Sequence, residues 1–318
     1  MQRLLAALLI FVLSLPVFWL GLVLMIQPFP YANAFFLAKS SDAAGTRMRT
    51  QEWSQNDVLP AQVDVLFLGS STCMSGIDPN AMLAHGVNGF SFCSSGQRVG
   101  NSLHILHAAL EESSPSVVVL DVFPLLWHGP ANGIESSRDW ARNGTQSNAH
   151  WTRAIFNNAM ESGDAYNVML AAAEWCIQSL GISPASPAKP SELQYRGRGY
   201  LARARSSLRD FPDCLSLKMG KASADEDWCE RFEQLNALCD QAGAQLIIVI
   251  PPELCPTALV MPACWTGIPV IQGQEWPGSQ SHTFFKDNHH LVDAGAQSYS
   301  IWLAQTLNKT IQSHGFRP

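Results

Sequence analysis

Three short apolar runs constrain the fold of this chain more than any other feature. They cover residues 63–68, 117–122 and 245–250, and each consists mainly of Val, Ile and Leu. A strand that is buried on both faces of a parallel sheet has this composition, whereas a strand with one solvated face alternates between apolar and polar residues. Stretches with helical spacing separate the runs, and such alternation is typical of a doubly wound α/β fold. The sequence therefore predicts a three-layer domain, a parallel sheet with helices on both faces.

Weaker signals extend this pattern along the chain. Asp78-Pro79 predicts a helix start, because Asp accepts hydrogen bonds from the first free N–H groups and Pro fits the first helical position. The further predicted strands cover residues 88–92 and 269–271, and the predicted helices cover residues 80–85, 101–112, 226–242 and 293–308.

The block of residues 125–224 interrupts the alternation, and we interpret it as an insertion into the sheet domain. Within it we expect a helix over residues 157–180 and a loop over residues 182–190. Five arginines follow between residues 195 and 209. Such a run is either a solvated face or a clamp for an anionic or carbohydrate substrate, since Arg binds anionic oxygens in a bidentate manner.

The first thirty residues predict that the chain is attached to a membrane. Residues 4–27 carry no charge, and a helix of that length spans about 36 Å, which is enough to cross a bilayer. Arg3 precedes the run and the next charge is Lys39, so we expect a cytoplasmic N-terminus and an exported remainder. A cleaved signal peptide is the alternative, because Ala32-Asn33-Ala34 resembles a cleavage site.

The predicted organisation therefore has three parts. Residues 1–30 form an N-terminal signal anchor, residues 31–62 a stalk and lead-in, and residues 63–318 the α/β domain. The net charge of -6 and the isoelectric point near 5.8 leave no basic excess for a nucleic-acid partner. The apolar content of 47% excludes a disordered chain.

All eight cysteines lie beyond the predicted anchor. An even number of cysteines in an exported domain favours disulfides. We expect at least one, and Cys255–Cys264, in a proline-rich loop, is the first candidate. Buried free thiols are the alternative for any single cysteine.

Polar residues that suit nucleophilic catalysis follow the predicted strands. Ser71 comes directly after the first run, and Asp287 and His290 precede the last helix. A serine hydroxyl needs a histidine to take its proton and a carboxylate to orient that histidine. The spacing of three residues lets Asp287 and His290 meet within one turn. Backbone N–H groups at Ser71 and Gly96 are candidates to bind an oxyanion.

These residues carry a resemblance to the SGNH (GDSL-type) hydrolases. Residues 66–71, Leu-Phe-Leu-Gly-Ser-Ser, are similar to the first block of that family, with Ser70 in place of the motif Asp. Residues 88–96 look like the glycine block, and residues 287–296 look like the last block, D-x-x-H-x-x-x-x-G. The resemblance implies that Ser71 is the nucleophile, His290 the base and Asp287 the orienting acid. It also implies that Gly96 donates to the oxyanion.

One block departs from the family pattern. The family has G-x-N-D after the third strand, whereas this chain reads Asp121-Val122-Phe123-Pro124. Asp121 lies on the presumed site side, and we treat it as a candidate oxyanion- or substrate-binding residue, with a turn residue as the alternative. His289 is a rival base. We expect no cofactor and no metal, although His282, Asp287, His289 and His290 form an alternative set of metal ligands.

The Gly-Ser-Ser form with an N-terminal anchor resembles the membrane-attached branch of the family, which includes proteins of alginate O-acetylation and of D-alanyl transfer to teichoic acids. The implied function is a membrane-anchored, extracytoplasmic O-acyltransferase or acetylesterase, which acts on cell-envelope or exopolysaccharide. The implied partners are a carbohydrate or acyl-ester substrate and a multi-pass membrane protein that donates the acyl group. The alternative is a non-catalytic envelope assembly or scaffold protein on an SGNH-like fold.

Overall fold

The structure is a computed structural model of the 318-residue chain. It describes residues 45–55, 59–144, 149–179, 193–203 and 222–313, together with scattered helical residues between 5 and 21.

A five-stranded parallel sheet forms the centre of the described structure. The strands in chain order are β1 (Val65–Gly69), β2 (Gly89–Ser91), β3 (Val117–Asp121), β4 (Leu193–Gly197), β5 (Tyr200–Arg203), β6 (Ala222–Ser223), β7 (Gln245–Ile250), β8 (Leu259–Val260) and β9 (Val270–Gln272). The order in the main sheet is β2-β1-β3-β7-β9, and every neighbouring pair is parallel. Counted along the chain this is the order 2-1-3-4-5, which flavodoxin-like doubly wound sheets have.

Helices surround this sheet. In chain order they are α1 (Thr46–Gln55), α2 (Leu59–Gln62), α3 (Ser71–Gly76), α4 (Pro79–Leu83), α5 (Val99–Leu110), α6 (Ile134–Asp139), α7 (Ala149–Glu161), α8 (Ala165–Ser179), α9 (Glu226–Ala242) and α10 (Asp293–Ser313). Helices α5 and α9 pack on one face of the sheet, and α3, α4 and α10 pack on the other.

Strand β3 shows why the predicted runs are apolar throughout. Val118 and Leu120 belong to the core on the α5 and α9 side, whereas Val117 and Val119 belong to the core on the α3 and α10 side. Successive side chains of a strand point to opposite faces, so a strand covered on both sides needs apolar residues at every position. The predicted mixed α/β fold with helices on both faces of a parallel sheet is confirmed.

The end of β1 requires a glycine. Gly69 has a φ of +148°, and an added Cβ would lie 2.6 Å from the carbonyl oxygen of Asp121 on β3. The chain then turns directly into α3, where the Ser70 side chain accepts a hydrogen bond from the Thr72 N–H at 3.5 Å. This tight turn places Ser71 at the first position of α3, above the carboxyl edge of the sheet.

The insertion differs from the prediction of one helix over residues 157–180. Two helices occupy this region, α7 and α8, and the break falls at Gly163, which has a φ of +69°. Asp164 then starts the next helix, because its carboxylate accepts a hydrogen bond from the Tyr166 N–H at 3.0 Å. The single-helix prediction was wrong because the apolar spacing continues across this break. The predicted loop at residues 182–190 lies outside the described residues.

The segment before β1 contributes to the core. Trp53 of α1 is fully buried and packs edge-on against Phe90 and Phe92, with ring centroids 4.9 Å apart. The predicted domain boundaries at residues 30 and 62 and the insertion limits at residues 125 and 224 stay predictions.

Among the described residues, disulfides join Cys73 to Cys93 and Cys229 to Cys264. The predicted Cys255–Cys264 pair was wrong, because Cys264 bonds to Cys229; Cys255 is disulfide-bonded as well. The short turn that carries Cys264 packs on α9, which brings Cys264 to Cys229 rather than to its sequence neighbour. The expectation of at least one disulfide is confirmed. Cys239 carries a free, buried thiol.

Within the described residues no helix has both the length and the apolar content needed to cross a membrane. Most of the predicted anchor at residues 1–30 lies outside the described residues, and its transmembrane helix stays a prediction.

Candidate active site

The site residues meet where β1 and β3 end side by side. In a sheet of this strand order, ligands bind outside the carboxyl ends of the strands, at the point where the winding direction changes. Ser71 follows β1, Asp121 is the last residue of β3, and the loop with Asp287 and His290 precedes α10. The strand order therefore brings the predicted site residues to one edge of the sheet.

Ser71, His290 and Asp287 form a continuous hydrogen-bonded chain. The Ser71 Oγ lies 2.9 Å from His290 Nε2, and His290 Nδ1 lies 2.8 Å from Asp287 Oδ2. If His290 Nδ1 carries the imidazole proton, it donates to the carboxylate and leaves Nε2 free to accept the Ser71 proton. This is the geometry of a nucleophile, its base and the group that orients the base.

The loop that carries Asp287 and His290 is closed on itself. The backbone N–H groups of His289 and His290 donate to Asp287 Oδ1 at 3.0 Å and 2.8 Å, and the Lys286 N–H donates to the His290 carbonyl at 2.8 Å. Asn288 fixes the loop to its surroundings, because its Oδ1 accepts from the Cys255 N–H at 2.7 Å. The backbone of this loop therefore holds the Asp287 carboxylate independently of its contact with the His290 imidazole.

The charge of Asp287 is favoured at this position. Burial alone would raise its pKa, but the hydrogen bond and charge of His290, together with the two backbone N–H groups, lower the pKa below its ordinary value. Asp287 is therefore ionised near neutral pH and can stabilise an imidazolium at His290.

His289 stands beside this chain as a neutral group. Its ring stacks on Phe123 at a centroid distance of 4.5 Å, and its pKa is lowered to about 4 by burial and by the neighbouring His290. Among the described residues, the imidazole bonded to Ser71 is that of His290. Phe123 lies in the block where the SGNH pattern has its Asn. At that place the structure therefore has the stacked Phe123–His289 pair.

The loop with Gly96 is held on two sides. The Ser94 N–H donates to the Gly69 carbonyl at 3.1 Å, which fixes the loop to the end of β1. Gly96 adopts a φ of +64°, and on its other side a Cβ added at Gly133 would lie 2.1 Å from the Gly96 carbonyl oxygen. Residues of the insertion thus pack tightly against the loop that carries the candidate oxyanion donor.

Asp121 is nearly buried at the end of β3, where it also lines the small cavity beside β1 and β3. Its side chain is only 4% exposed, and Oδ1 accepts a hydrogen bond from the Thr72 hydroxyl at 2.6 Å. Sequence reasoning singled out Asp121 but missed Thr72. The signal was the position of Thr72 next to Ser71 on a helix whose inner face must meet the sheet.

A disulfide that sequence reasoning did not predict also adjoins the site. Cys73 lies two residues after Ser71, and Cys93 lies three residues before Gly96. The bond joins the helix of the nucleophile candidate to the loop of the oxyanion candidate. Both cysteines lie in or next to the segments 66–71 and 88–96 that resemble the family motifs, and this position could have pointed to the pairing.

A cavity opens beside the carboxyl ends of β1 and β3 on the α5 side. Its enclosed volume is about 20 Å³, which is room for about one water molecule, and its lining residues include Gly69, Gln97, Asp121 and Phe123. The cavity lies next to the change of winding direction, and Ser71 and His290 are not among its lining residues.

Three of the four alternative metal ligands lie together. One donor atom each from Asp287, His289 and His290 falls within 4.8 Å of the others, and His282 is not part of that group. His290 already uses both ring nitrogens in contacts with Ser71 and Asp287, so a metal there would replace those hydrogen bonds.

Comparison with known proteins identifies no family for the chain. No protein-family model matches it, and no curated protein matches it. Among solved structures, the chain is similar to a protein from Bacteroides fragilis that is named as a proposed acylhydrolase, with 14% sequence identity and a TM-score of 0.35. The match covers 82% of this chain and 96% of that chain. The fold described above rests on the strand order and not on this likeness.

Proposed function

We propose that this protein is an acyl-ester enzyme of the SGNH type that works through Ser71, His290 and Asp287. The observation that carries this proposal is the chain of two hydrogen bonds. One, 2.9 Å long, joins Ser71 to His290 from opposite ends of the domain, and the other, 2.8 Å long, joins His290 to Asp287 within one loop. A hydrogen-bonded Ser–His–Asp chain at the carboxyl edge of a parallel sheet suits acyl transfer.

The proposed first step is acylation of Ser71. His290 takes the Ser71 proton as the Oγ attacks the ester carbonyl, and the ionised Asp287 stabilises the resulting imidazolium. The backbone N–H groups of Ser71 and Gly96 donate to the oxyanion of the tetrahedral intermediate. The intermediate collapses when His290 returns the proton to the leaving alcohol, and an acyl-enzyme remains.

The second step transfers the acyl group to an acceptor. His290 deprotonates either water or a sugar hydroxyl, which attacks the acyl carbonyl. The bond from the acyl group to Ser71 Oγ then breaks, and His290 returns the proton to Ser71 Oγ. The same three residues serve both acceptors, so the proposal covers an esterase and an O-acyltransferase. The resemblance to membrane-attached SGNH proteins favours a polysaccharide of the cell envelope as substrate.

The proposed location is the outer side of the cytoplasmic membrane, attached by residues 1–30. The uncharged stretch at residues 4–27 supports this location. The disulfides support it as well, because disulfides persist in oxidising compartments. The described residues 9–15 are helical, and several of their apolar side chains are more than half exposed, among them Leu9, Ile10 and Leu13. The proposed partner there is a multi-pass membrane protein that donates the acyl group.

Labelling with a serine-directed fluorophosphonate tests this proposal. We expect the label on Ser71 in the wild-type protein and none on Ser71→Ala. Hydrolysis of p-nitrophenyl acetate should fall about 10⁴-fold in Ser71→Ala and in His290→Ala, and the double variant should lose little more because the two residues act as one unit. Asp287→Asn should lose a similar amount or less.

Two controls make the result specific. Ser113→Ala removes a buried serine hydroxyl that donates to the Ala109 carbonyl in α5, and this variant should label like wild type. Circular dichroism should show the wild-type spectrum in every variant. A folded Ser71→Ala protein with full turnover would exclude Ser71 as the nucleophile.

The second candidate function is a non-catalytic assembly protein of the envelope. Phe123 favours it, because this residue stands in the block where the family pattern supplies an oxyanion-binding Asn. If folded wild-type protein neither takes the fluorophosphonate nor hydrolyses the ester, the assembly function replaces the enzymatic one.

A further inference from the structure

A second hydrogen-bonded chain lies directly beneath Ser71 and is separate from the one to His290. Asp121 Oδ1 accepts from the Thr72 hydroxyl at 2.6 Å, and the Thr72 and Ser70 hydroxyl oxygens lie 2.8 Å apart. The Thr72 N–H in turn donates to Ser70 Oγ at 3.5 Å. Since the Thr72 proton goes to Asp121, Ser70 donates its own proton to Thr72. The two residues on either side of Ser71 are therefore tied to each other and to β3.

These contacts are shielded from water. Ser70, Thr72 and Asp121 are exposed by 1%, 4% and 4%. Hydrogen bonds between buried groups are expensive to lose, because water cannot replace the missing partner. The backbone around Ser71 has little freedom to shift while this chain is intact, and Gly69 adds to the restriction through its close approach to Asp121.

We propose that Asp121 is a positioning residue for Ser71, which it acts on through Thr72 and Ser70. Asp121 holds the turn between β1 and α3 in the conformation that keeps Ser71 Oγ 2.9 Å from His290 Nε2. This inference rests on the proposed function, and it assigns Asp121 a role other than contact with substrate. Misplacement of a reacting group by about 1 Å can lower a rate 100-fold.

The protonation of Asp121 fits this role. Burial raises its pKa to about 7, and the Thr72 hydrogen bond opposes the rise. Tyr299 of α10 is the titratable group that faces Asp121. Tyr299 is also buried, and both its burial and the nearby Asp121 raise its pKa. Well below pH 7 Asp121 is therefore mostly a neutral acid, and a neutral amide is its closest replacement.

The test compares hydroxyl removal with hydroxyl retention at Thr72. Thr72→Val keeps the shape and loses the bond to Asp121, whereas Thr72→Ser keeps the hydroxyl. We expect kcat for p-nitrophenyl acetate at pH 6.5 to fall by about 10- to 100-fold in Thr72→Val, with KM changed less than about threefold. Thr72→Ser should stay within about threefold of wild type. The rate of fluorophosphonate labelling at Ser71 should follow kcat.

Variants at Asp121 complete the test. Asp121→Asn keeps an oxygen that accepts from Thr72 and should retain most of the activity, whereas Asp121→Leu should lose as much as Thr72→Val. If Asp121→Leu does not fold, the comparison of Thr72→Val with Thr72→Ser still tests the proposal.

A matched control exists in Thr46 and Asp139, a second buried pair in which a Thr hydroxyl donates to an Asp carboxylate. Thr46→Val should leave kcat within about threefold of wild type.

Each outcome separates this inference from the proposed function. Folded Thr72→Val with wild-type kcat and labelling rate overturns the positioning role alone. Equal losses in Thr72→Val and Thr72→Ser, or an equal loss in Thr46→Val, also overturn it, because the effect would not depend on the hydroxyl bond at this site. Wild-type protein that takes no label at Ser71 removes the proposed function and this inference with it.

Discussion

At the scale of single residues, the carboxylates of the site occupy opposite electrostatic environments. Asp287 has a lowered pKa, because His290 and two backbone N–H groups outweigh the effect of burial. Asp121 has a pKa raised to about 7, because burial outweighs one hydrogen bond. One group is an ionised partner for an imidazolium, and the other is a neutral acceptor in the core.

The pKa of Asp121 predicts how stability changes with pH. Between about pH 4 and pH 7 the folded state keeps a proton on Asp121 that the unfolded chain releases, so this group lowers the free energy of unfolding as the pH rises. The lost stability should reach a few kcal/mol, at about 1.4 kcal/mol per unit of pKa shift, and should level off above pH 7. The Asp121→Asn variant has no carboxyl group at this position and should not show this pH-dependent loss of stability.

Urea unfolding of the wild type and Asp121→Asn at pH 4, 5.5, 7 and 8 measures the effect. The variant should gain stability relative to wild type from pH 4 to pH 7 and no further by pH 8. Parallel pH curves for the two proteins would show that Asp121 is ionised in the folded state or solvated there.

At the scale of elements, the turn after β1, the loop after β2 and the loop before α10 are each fixed by contacts outside themselves. Ser94 bonds to β1, and Asn288 bonds to the loop after β7. The Cys73–Cys93 disulfide connects the first two of these segments covalently. The site is thus assembled from short segments that hydrogen bonds and one disulfide hold in place relative to one another.

The two disulfides should therefore differ in their effect on activity. Replacement of Cys73 and Cys93 by Ala should cost about 2–4 kcal/mol of stability, and so should replacement of Cys229 and Cys264, because both bonds close loops of tens of residues. Only the first replacement should lower kcat for ester hydrolysis at a temperature where both variants are folded. Equal kcat values in the two double variants would contradict a role of the first disulfide in the site.

At the scale of the whole molecule, the strand order decides where the chemistry sits. The order β2-β1-β3-β7-β9 makes β1 and β3 neighbours in the middle of the sheet. Their carboxyl ends open a crevice between helices of the two faces. Ser71, Asp121 and Phe123 all come from the segments that leave these two strands.

The whole chain should be oriented with this domain outside the cytoplasm. Arg3 and the uncharged residues 4–27 predict that orientation. Alkaline phosphatase fused after Pro318 should be active in cells, since it needs an oxidising compartment to form its disulfides, and the same fusion without residues 1–30 should be inactive. Activity of a cytoplasm-specific reporter at this position would contradict the predicted orientation.

Local sequence was sufficient for features that form within a few residues. Asp225 and Gly243 delimit α9 at its predicted bounds, because a side-chain cap and a left-handed glycine act on the adjacent turn alone. The apolar runs predicted the strands for a similar reason, since burial on both faces favours apolar residues along most of each strand. The contact between Asp287 and His290 also lies within one closed loop.

Only the tertiary structure decided which distant groups meet. Ser71 and His290 are 219 residues apart. The sequence suggested that they act together only through the resemblance of two separate motifs, and the fold is what brings their loops into contact. Cys264 bonds to Cys229 and not to nearby Cys255 because packing of its turn on α9 sets the partner. The side chain of Asp121 meets Thr72 in the core because the pairing of β3 with β1 aims it there. Such contacts depend on how strands and helices are arranged in space, and that arrangement minimises the free energy of the whole chain rather than of any one segment.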